Sequence, residues 1–376
     1  MYANRRNFLA GAGIASGLGA FPMAGMQAVA SGAAPEPDFG PKIGQALLSR
    51  NENPFGPAPS AVRAVSDTAQ LGCYYADRGL FKLRAMIAER HQVKPEMVVI
   101  GSGSTEILCA IALAWGKEGA ILCPDLFWDT TVLYGERQGV SSIRVPLDES
   151  MNVDLPAMAE AMTDDVSLVQ ICNPNNPTGV LIPSRELSGF AARVKGKATL
   201  LVDEAYNELT DFPETNSMID LVRAGGDVIV CRTFSKIYGM AGMRVGYAIT
   251  SEENARRIGG YLMSFGGNIS GIAAAIASYD DFGFLEKSRA MVLEGREMIL
   301  DAVAGAGLRA LPSQTNFVYV EVPDANAVQA AMAERGISIR GAYGDWTQYS
   351  RVSTGKLEDV SRYAAALPEI IDRLRG

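Results

Sequence analysis

The sequence predicts an α/β protein, with a large lobe built on a mainly parallel sheet covered by helices and a smaller α+β lobe after it. Three observations predict this. Near-continuous apolar runs alternate with helical patterns from about Met97 onward, as strands buried on both faces do. Polar and glycine-rich segments follow several of those runs, where open α/β sheets place their ligands. Beyond residue 275 the order changes to a long helix, a strand, a helix, two short strands and a last helix, the pattern of a separate α+β unit. With 376 residues, 48% of them hydrophobic, the chain can fill both cores.

In order, strands are expected at Met97–Ile100, Ala120–Cys123, Val166–Cys172, Ala198–Asp203 and Val228–Cys231, with a helix opening at Ser104. A long helical pattern runs from Phe284 to Ala304. It is followed by a strand over Asn316–Val322, a helix over Ala325–Arg335, and short strands at Ile337–Arg340 and Ser350–Ser353. We divide the chain into a leader (1–30), a Pro/Gly-rich linker (31–45), an N-terminal segment packing on the small lobe (46–75), the large lobe (76–275) and the small lobe (276–376).

Composition excludes several functions. A net charge of −8 leaves no basic footprint for nucleic acid. The single histidine, His91, removes multi-histidine metal sites, so no metal is expected and a general base should be Lys, Asp, Glu or Tyr. Five cysteines without a Cys-x-x-Cys pair read as core residues. Near the N-terminus, Arg5-Arg6 precedes an uncharged stretch ending in Ala28-Val29-Ala30, the layout of a twin-arginine export signal. Its glycines and Pro22 make it a poor permanent anchor, so no stable membrane insertion is expected. The expected location is the periplasm, reached through the twin-arginine translocase. A plain Gly/Ala-rich tail on a cytoplasmic protein is the alternative.

Four segments carry chemistry. Gly101-Ser102-Gly103-Ser104-Thr105-Glu106 joins a strand to a helix, so its N–H groups and hydroxyls can hold a phosphate, or simply start a helix. Asn173-Pro174-Asn175-Asn176-Pro177-Thr178-Gly179 follows the next strand but one, its prolines restricting the loop. Asp203-Glu204-Ala205-Tyr206 ends another strand with a carboxylate and a phenol. Thr233-Phe234-Ser235-Lys236, with Arg244 beyond, sets an amine among apolar and glycine neighbours that lower its pKa and suit it to Schiff-base chemistry.

Taken in this order, Asn-Pro-Thr-Gly, Asp-x-Ala-Tyr and Ser-Lys with Arg eight residues on resemble the fold-type I aminotransferases that use pyridoxal 5′-phosphate, in the histidinol-phosphate aminotransferase-like branch. The opening Asn51-Glu52-Asn53-Pro54-Phe55-Gly56-Pro57 and the ending Ser350-Arg351-Val352-Ser353-Thr354-Gly355 are similar to that branch as well. The resemblance implies the large-domain, small-domain fold of these transferases and a homodimer. It implies Lys236 as the covalent anchor and proton carrier and Asp203 as the partner of the ring nitrogen. Asn176 and Tyr206 would meet the ring's phenolic oxygen. Thr233, Ser235 and Arg244, with Gly103, Ser104 and Thr105, would hold the phosphate, joined by Tyr75 from the partner subunit. Phe127, or its neighbour Trp128, would stack on the ring.

For the substrate, the resemblance points to Arg351 as the anion-binding fork, with Arg340, Asn316 and Asn53 as further contacts. A surface ion pair is the other reading of Arg340. The implied reaction moves an amino group between an amino acid or related amine and an oxo acid. A decarboxylase or other lyase on the same lysine and aspartate is the alternative, and a non-catalytic binding protein the remoter one.

Overall fold

The structure is a computed structural model that describes residues 36–376. The expected leader (1–30) and residues 31–35 of the linker lie outside the described residues. Residues 36–45 contain no helix or strand.

In chain order the strands are β1 (Ala46–Leu47), β2 (Val98–Gly101), β3 (Ala120–Pro124), β4 (Ser142–Val145), β5 (Val166–Cys172) and β6 (Thr199–Asp203). They continue with β7 (Val228–Thr233), β8 (Gly246–Ile249), β9 (Arg309–Ala310), β10 (Phe317–Glu321), β11 (Ile337–Ser338) and β12 (Tyr349–Ser353). Seven of them make one sheet in the order β2-β8-β7-β6-β5-β3-β4. The pairs from β4 to β7 are parallel, and β8 runs antiparallel to both β7 and β2. The five strands expected in this lobe are present within two residues. The sequence reading missed β4 and β8: β4 is a half-buried edge strand without an apolar run, and β8 opens on a glycine within a turn-like segment.

Helices on both faces explain the apolar runs. Every residue of β3, β6 and β7 is buried, and each fully buried Leu or Ile there contributes about 1.5–3 kcal/mol. The helix Gly103–Gly116 turns Ile107, Leu108, Ile111 and Trp115 inward, and the Trp115 indole donates to the Thr199 hydroxyl at 2.8 Å. Its N-terminus lies against β8. A Cβ on Gly246 would stand 2.6 Å from the Gly103 carbonyl carbon, so only glycine lets this helix start so close to the strand.

The small lobe holds the antiparallel sheet β12-β10-β9 and the parallel pair β1-β11. Its separate core is built from residues such as Val318, Val320, Met332, Ile337, Leu367 and Ile370. The expected segment 46–75 divides between the lobes. Ala46 and Leu48 join the small core, whereas Ala58 and Ala61 join the large one, because the helix Pro59–Thr68 packs on the alanine-rich helix Ile269–Ser278. That second helix crosses the boundary expected at residue 275 and belongs to the large core through Ala274 and Ala275. The helix Phe282–Gly305 serves both lobes, with Val292 in the large core and Ile299 and Val303 in the small one. Among the described residues no helix is long and apolar enough to cross a membrane.

Candidate active site

The carboxyl ends of β5, β6 and β7 and the start of the helix Gly103–Gly116 face one cavity of about 590 Å³. Of the residues expected at the site, the cavity is lined by Ser104, Thr105, Phe127, Trp128, Asn176, Asp203, Tyr206, Thr233, Ser235, Lys236, Arg244, Arg340 and Arg351. They come from segments up to 247 residues apart in sequence (104 to 351), which the strand ends bring together.

One end of the cavity suits a phosphate. Ser104 and Thr105 open a helix whose free N–H groups carry partial positive charge. The Thr233 hydroxyl donates to the Ser235 hydroxyl at 2.9 Å. The Arg244 guanidinium donates to the Ala241 carbonyl at 2.9 Å and reaches the Ser235 hydroxyl at 3.5 Å. Gly103 sits at φ 76°, and a Cβ there would lie 2.8 Å from the Arg244 Cζ, so the loop backbone and the guanidinium enclose the same space. Four hydroxyls, a helix start and one guanidinium form a donor set for a dianion.

The same cavity is lined by Asp203, the last residue of β6. Among the described residues its carboxylate accepts only the Ala205 N–H, at 3.2 Å, and burial pushes its pKa up to about 7. A protonated ring nitrogen placed against it would restore the charged form. Tyr206, three residues on, is buried, and its oxygen accepts N–H groups from Asn51 (3.1 Å) and Asn176 (3.2 Å). With both acceptor positions filled, the phenol retains its hydrogen as a donor. Burial, with Arg351 next in importance, draws the Lys236 amine down to about 8. The amine donates to the Asn51 carbonyl at 3.1 Å and lies 5.5 Å from the centre of the Tyr206 ring.

Arg351 comes from β12 of the small lobe, where Tyr319 of β10 stands opposite it in the ladder. It donates to the Asn176 side-chain oxygen at 2.6 Å and the Ser49 carbonyl at 2.8 Å, while its Nε is buried without a partner. Arg340 pairs with it backbone to backbone, and both guanidiniums lie over the Tyr343 ring, at 4.9 Å for Arg340 and 5.4 Å for Arg351. Arg340 thus faces the cavity, and no carboxylate among the described residues forms an ion pair with it.

Four expected residues are not on the cavity wall: Gly103, which lies against the Arg244 guanidinium, and three others. Asn53 turns away: its amide donates to the Ile237 carbonyl at 2.8 Å and the Ser288 hydroxyl at 2.6 Å, bracing the chain just after Lys236. Asn316 is buried and donates to the Asn51 carbonyl at 2.9 Å. Tyr75 is 70% exposed and rests on the Phe265 ring at 4.6 Å, away from this chain's own cavity. The cavity also contains residues that sequence reasoning missed, among them Ser49, Asn51, Cys172 and Tyr343. Asn51 had a visible signal, a place two residues before Asn53 in the same motif. Tyr343 had none.

This arrangement, a buried amine, a buried carboxylate, a phenol donor and a phosphate cradle at the strand ends of an α/β sheet, defines a site for an aldehyde-bearing, phosphorylated ring. The family model for aminotransferase class I and II matches residues 43–367, and the chain belongs to that family. Within it the chain is histidinol-phosphate aminotransferase-like. It is 33% identical over 328 residues to the histidinol-phosphate aminotransferase of Moorella thermoacetica, covering 86% of this chain and 85% of that one. The aromatic amino acid aminotransferase of Corynebacterium glutamicum is 32% identical, covering 85% and 91%. The crystal structure of histidinol-phosphate aminotransferase from Sinorhizobium meliloti in complex with pyridoxal 5′-phosphate superimposes with a TM-score of 0.82 at 31% identity, covering 88% of this chain and 91% of that one. The protein is therefore an aminotransferase that uses pyridoxal 5′-phosphate, and the donor set described above fits that cofactor.

Proposed function

We propose that Lys236, Asp203, Tyr206 and the hydroxyl-arginine cradle hold the cofactor, and that the enzyme moves an amino group between a carboxylate-bearing amine and an oxo acid. The observation that carries this reading is the Lys236 amine, drawn down to about 8, in one cavity with the Asp203 carboxylate and the Arg351 fork. When bound, pyridoxal phosphate supplies an aldehyde for amine capture and a ring that draws electron density from the substrate's α-carbon. Ser104, Thr105, Thr233, Ser235 and Arg244 would hold the phosphate. Asp203 would keep a proton on the ring nitrogen, and Tyr206 would donate its hydroxyl hydrogen to the ring's phenolic oxygen. Phe127 and Trp128 form the wall beside the ring. Lys236 would hold the cofactor and, as a free amine, would take the proton from the substrate's α-carbon and carry it to the product side. Arg351 exchanges Asn176 and Ser49 for the substrate carboxylate, which holds the α-carbon within reach of Lys236.

Arg351→Ala should raise KM for a carboxylate substrate about 10- to 100-fold, the scale of a lost charge-assisted hydrogen bond. Steady-state kinetics check this, and a KM within twofold of the parent would remove Arg351 from the substrate site. The half-reaction itself is tested by adding amines to the yellow holoenzyme and following the loss of its absorbance. Repeated conversion of an amino acid without any acceptor, beyond one equivalent per site, would assign the enzyme to the lyases instead.

A second reading takes histidinol phosphate as the amine. The names of the Moorella and Sinorhizobium relatives support it, and so does the pairing of Arg340 with Arg351, two guanidiniums that also fit a tetrahedral anion. The leader supports the first reading, because an exported enzyme is separated from cytosolic biosynthesis. A kcat/KM for histidinol phosphate far above that of every amino acid would reverse the order.

We further propose a homodimer in the periplasm. Tyr74, Tyr75, Phe81, Met263 and Phe265 are all exposed apolar side chains, and Tyr75, packed on Phe265 outside its own cavity, would serve a second subunit's phosphate cradle. Mixing Lys236→Ala with Tyr75→Ala subunits should then restore activity, because half of the mixed dimers' sites are intact, and no gain on mixing would exclude a shared site. Arg5-Arg6 and Ala28-Val29-Ala30 support export. Replacing both arginines with lysine should keep the protein in the cytoplasmic fraction.

A further inference from the structure

We propose that Asn51 is a positioning residue for the transamination centre, its backbone carbonyl orienting the Lys236 amine and its side-chain amide orienting the Tyr206 hydroxyl. The inference rests on the reading of Lys236 as anchor and proton carrier. Every polar atom of Asn51 is engaged. Its carbonyl accepts from Lys236 Nζ at 3.1 Å and from Asn316 Nδ2 at 2.9 Å. Its backbone N–H donates to the Ser353 hydroxyl at 2.9 Å, and that hydroxyl donates back to Asn51 Oδ1 at 2.6 Å. Its Nδ2 donates to the Tyr206 oxygen at 3.1 Å.

The backbone explains how one residue reaches all of these. Asn51 lies at φ 56°, in the left-handed region that asparagine tolerates better than most residues. This turns its carbonyl into the cavity while its side chain lies between β12 and the loop after β6. Asn51 therefore ties the small lobe, through Ser353, to two groups of the large lobe at once.

Each tie has a directional effect. A neutral amine that donates one N–H to a fixed carbonyl turns its lone pair away from that carbonyl, so Asn51 aims the Lys236 lone pair across the cavity. A phenol oxygen that accepts from both Asn51 and Asn176 leaves its own hydrogen pointing away from both. Asn51 contributes to both directions, alone for the amine and together with Asn176 for the phenol.

The test uses the holoenzyme. Asn51→Gly keeps the left-handed backbone and the carbonyl and removes only the side chain, while Ser353→Ala removes the anchor and leaves Asn51 in place. With an amino acid deuterated at the α-carbon, Asn51→Gly should lower kcat about tenfold, the scale of one lost hydrogen bond. KM should stay within threefold, and the isotope effect on kcat should increase because proton transfer becomes slower. Ser353→Ala should move kcat and the isotope effect the same way by a smaller factor, and it decides the matter if Asn51→Gly does not fold. Unchanged kcat and isotope effect, or a rise in KM alone, would overturn the proposal when borohydride still fixes the cofactor to Lys236. Failure of borohydride to label Lys236 in the unsubstituted holoenzyme would instead overturn the reading on which the proposal rests.

Discussion

Replacement of Lys236 by alanine is expected to lower turnover by at least about 10³-fold, since it removes both the proposed covalent anchor and the proposed base for the α-proton. Among the described residues no other amine lines the cavity: its remaining cationic side chains are the guanidiniums of Arg50, Arg244, Arg340 and Arg351, which make poor bases. The variant should bind the cofactor without a borohydride-stable link, which mass spectrometry of the reduced protein reads directly. The same lysine sets a pH signature. Its amine titrates at about 8 rather than the ordinary 10.5 because burial and Arg351 disfavour the charge. The free base is the nucleophile, so the rate at which cofactor-free protein captures pyridoxal phosphate should climb with pH around a midpoint near 8. A midpoint above 10 would show that the amine is not shielded. Activity retained in Lys236→Ala would remove the central residue of the proposed chemistry.

Asp203→Asn should cost about 10²–10³-fold in turnover, the scale of a single electrostatic contact aimed at developing charge in a site that excludes water. An amide cannot hold a proton on the ring nitrogen, so the substrate's α-proton becomes harder to remove even with Lys236 in place. The variant should still be labelled at Lys236, which separates this effect from loss of the cofactor. Stability should respond in the opposite sense. Asp203 titrates at about 7 in the cofactor-free fold against 3.8 for an ordinary aspartate, so the folded protein holds a proton that the unfolded chain releases. Its contribution is present below pH 3.8 and is lost as pH rises to about 7, at about 1.4 kcal/mol for each unit between them. Cofactor-free protein should therefore become easier to unfold across that window, and Asp203→Asn should flatten the dependence. Urea titrations at pH 5 and pH 7.5 measure it, and equal slopes for the two proteins would show that the carboxylate is not shielded.

The parallel strands are legible in the sequence because a strand buried on both faces must be apolar throughout, and β5 and β6 leave almost no other reading. β8 is not legible, since a four-residue strand opening on glycine looks like the turn before it. The site is legible where one residue type has few other uses, as with the lysine after Thr-Phe-Ser or the aspartate closing an apolar run, and the structure brings both to one cavity. It is less legible where direction matters. Asn51 and Asn53 share a motif, but the left-handed backbone at Asn51 sends one side chain toward Tyr206 and leaves the other bracing Ile237. Tyr343 enters through the fold of the loop before β12, and nothing in its local sequence marks it. The division of residues 46–75 between lobes depends on which alanine face meets which helix, information that pairwise packing holds and periodicity does not.

The helix Phe282–Gly305 is 24 residues long, a rod of about 36 Å at 1.5 Å per residue. Because its first half is embedded in one hydrophobic interior and its second half in the other, a swivel between the two cannot be absorbed by a loose tether at that crossing. Rotation must instead roll or tilt the rod as a whole, carrying Arg296, buried near its middle against the Thr315 carbonyl, along with it. Whatever mobility the enzyme uses during turnover is thereby confined to a few rigid-body directions, and a substitution on this rod can alter catalysis from a distance without entering the pocket.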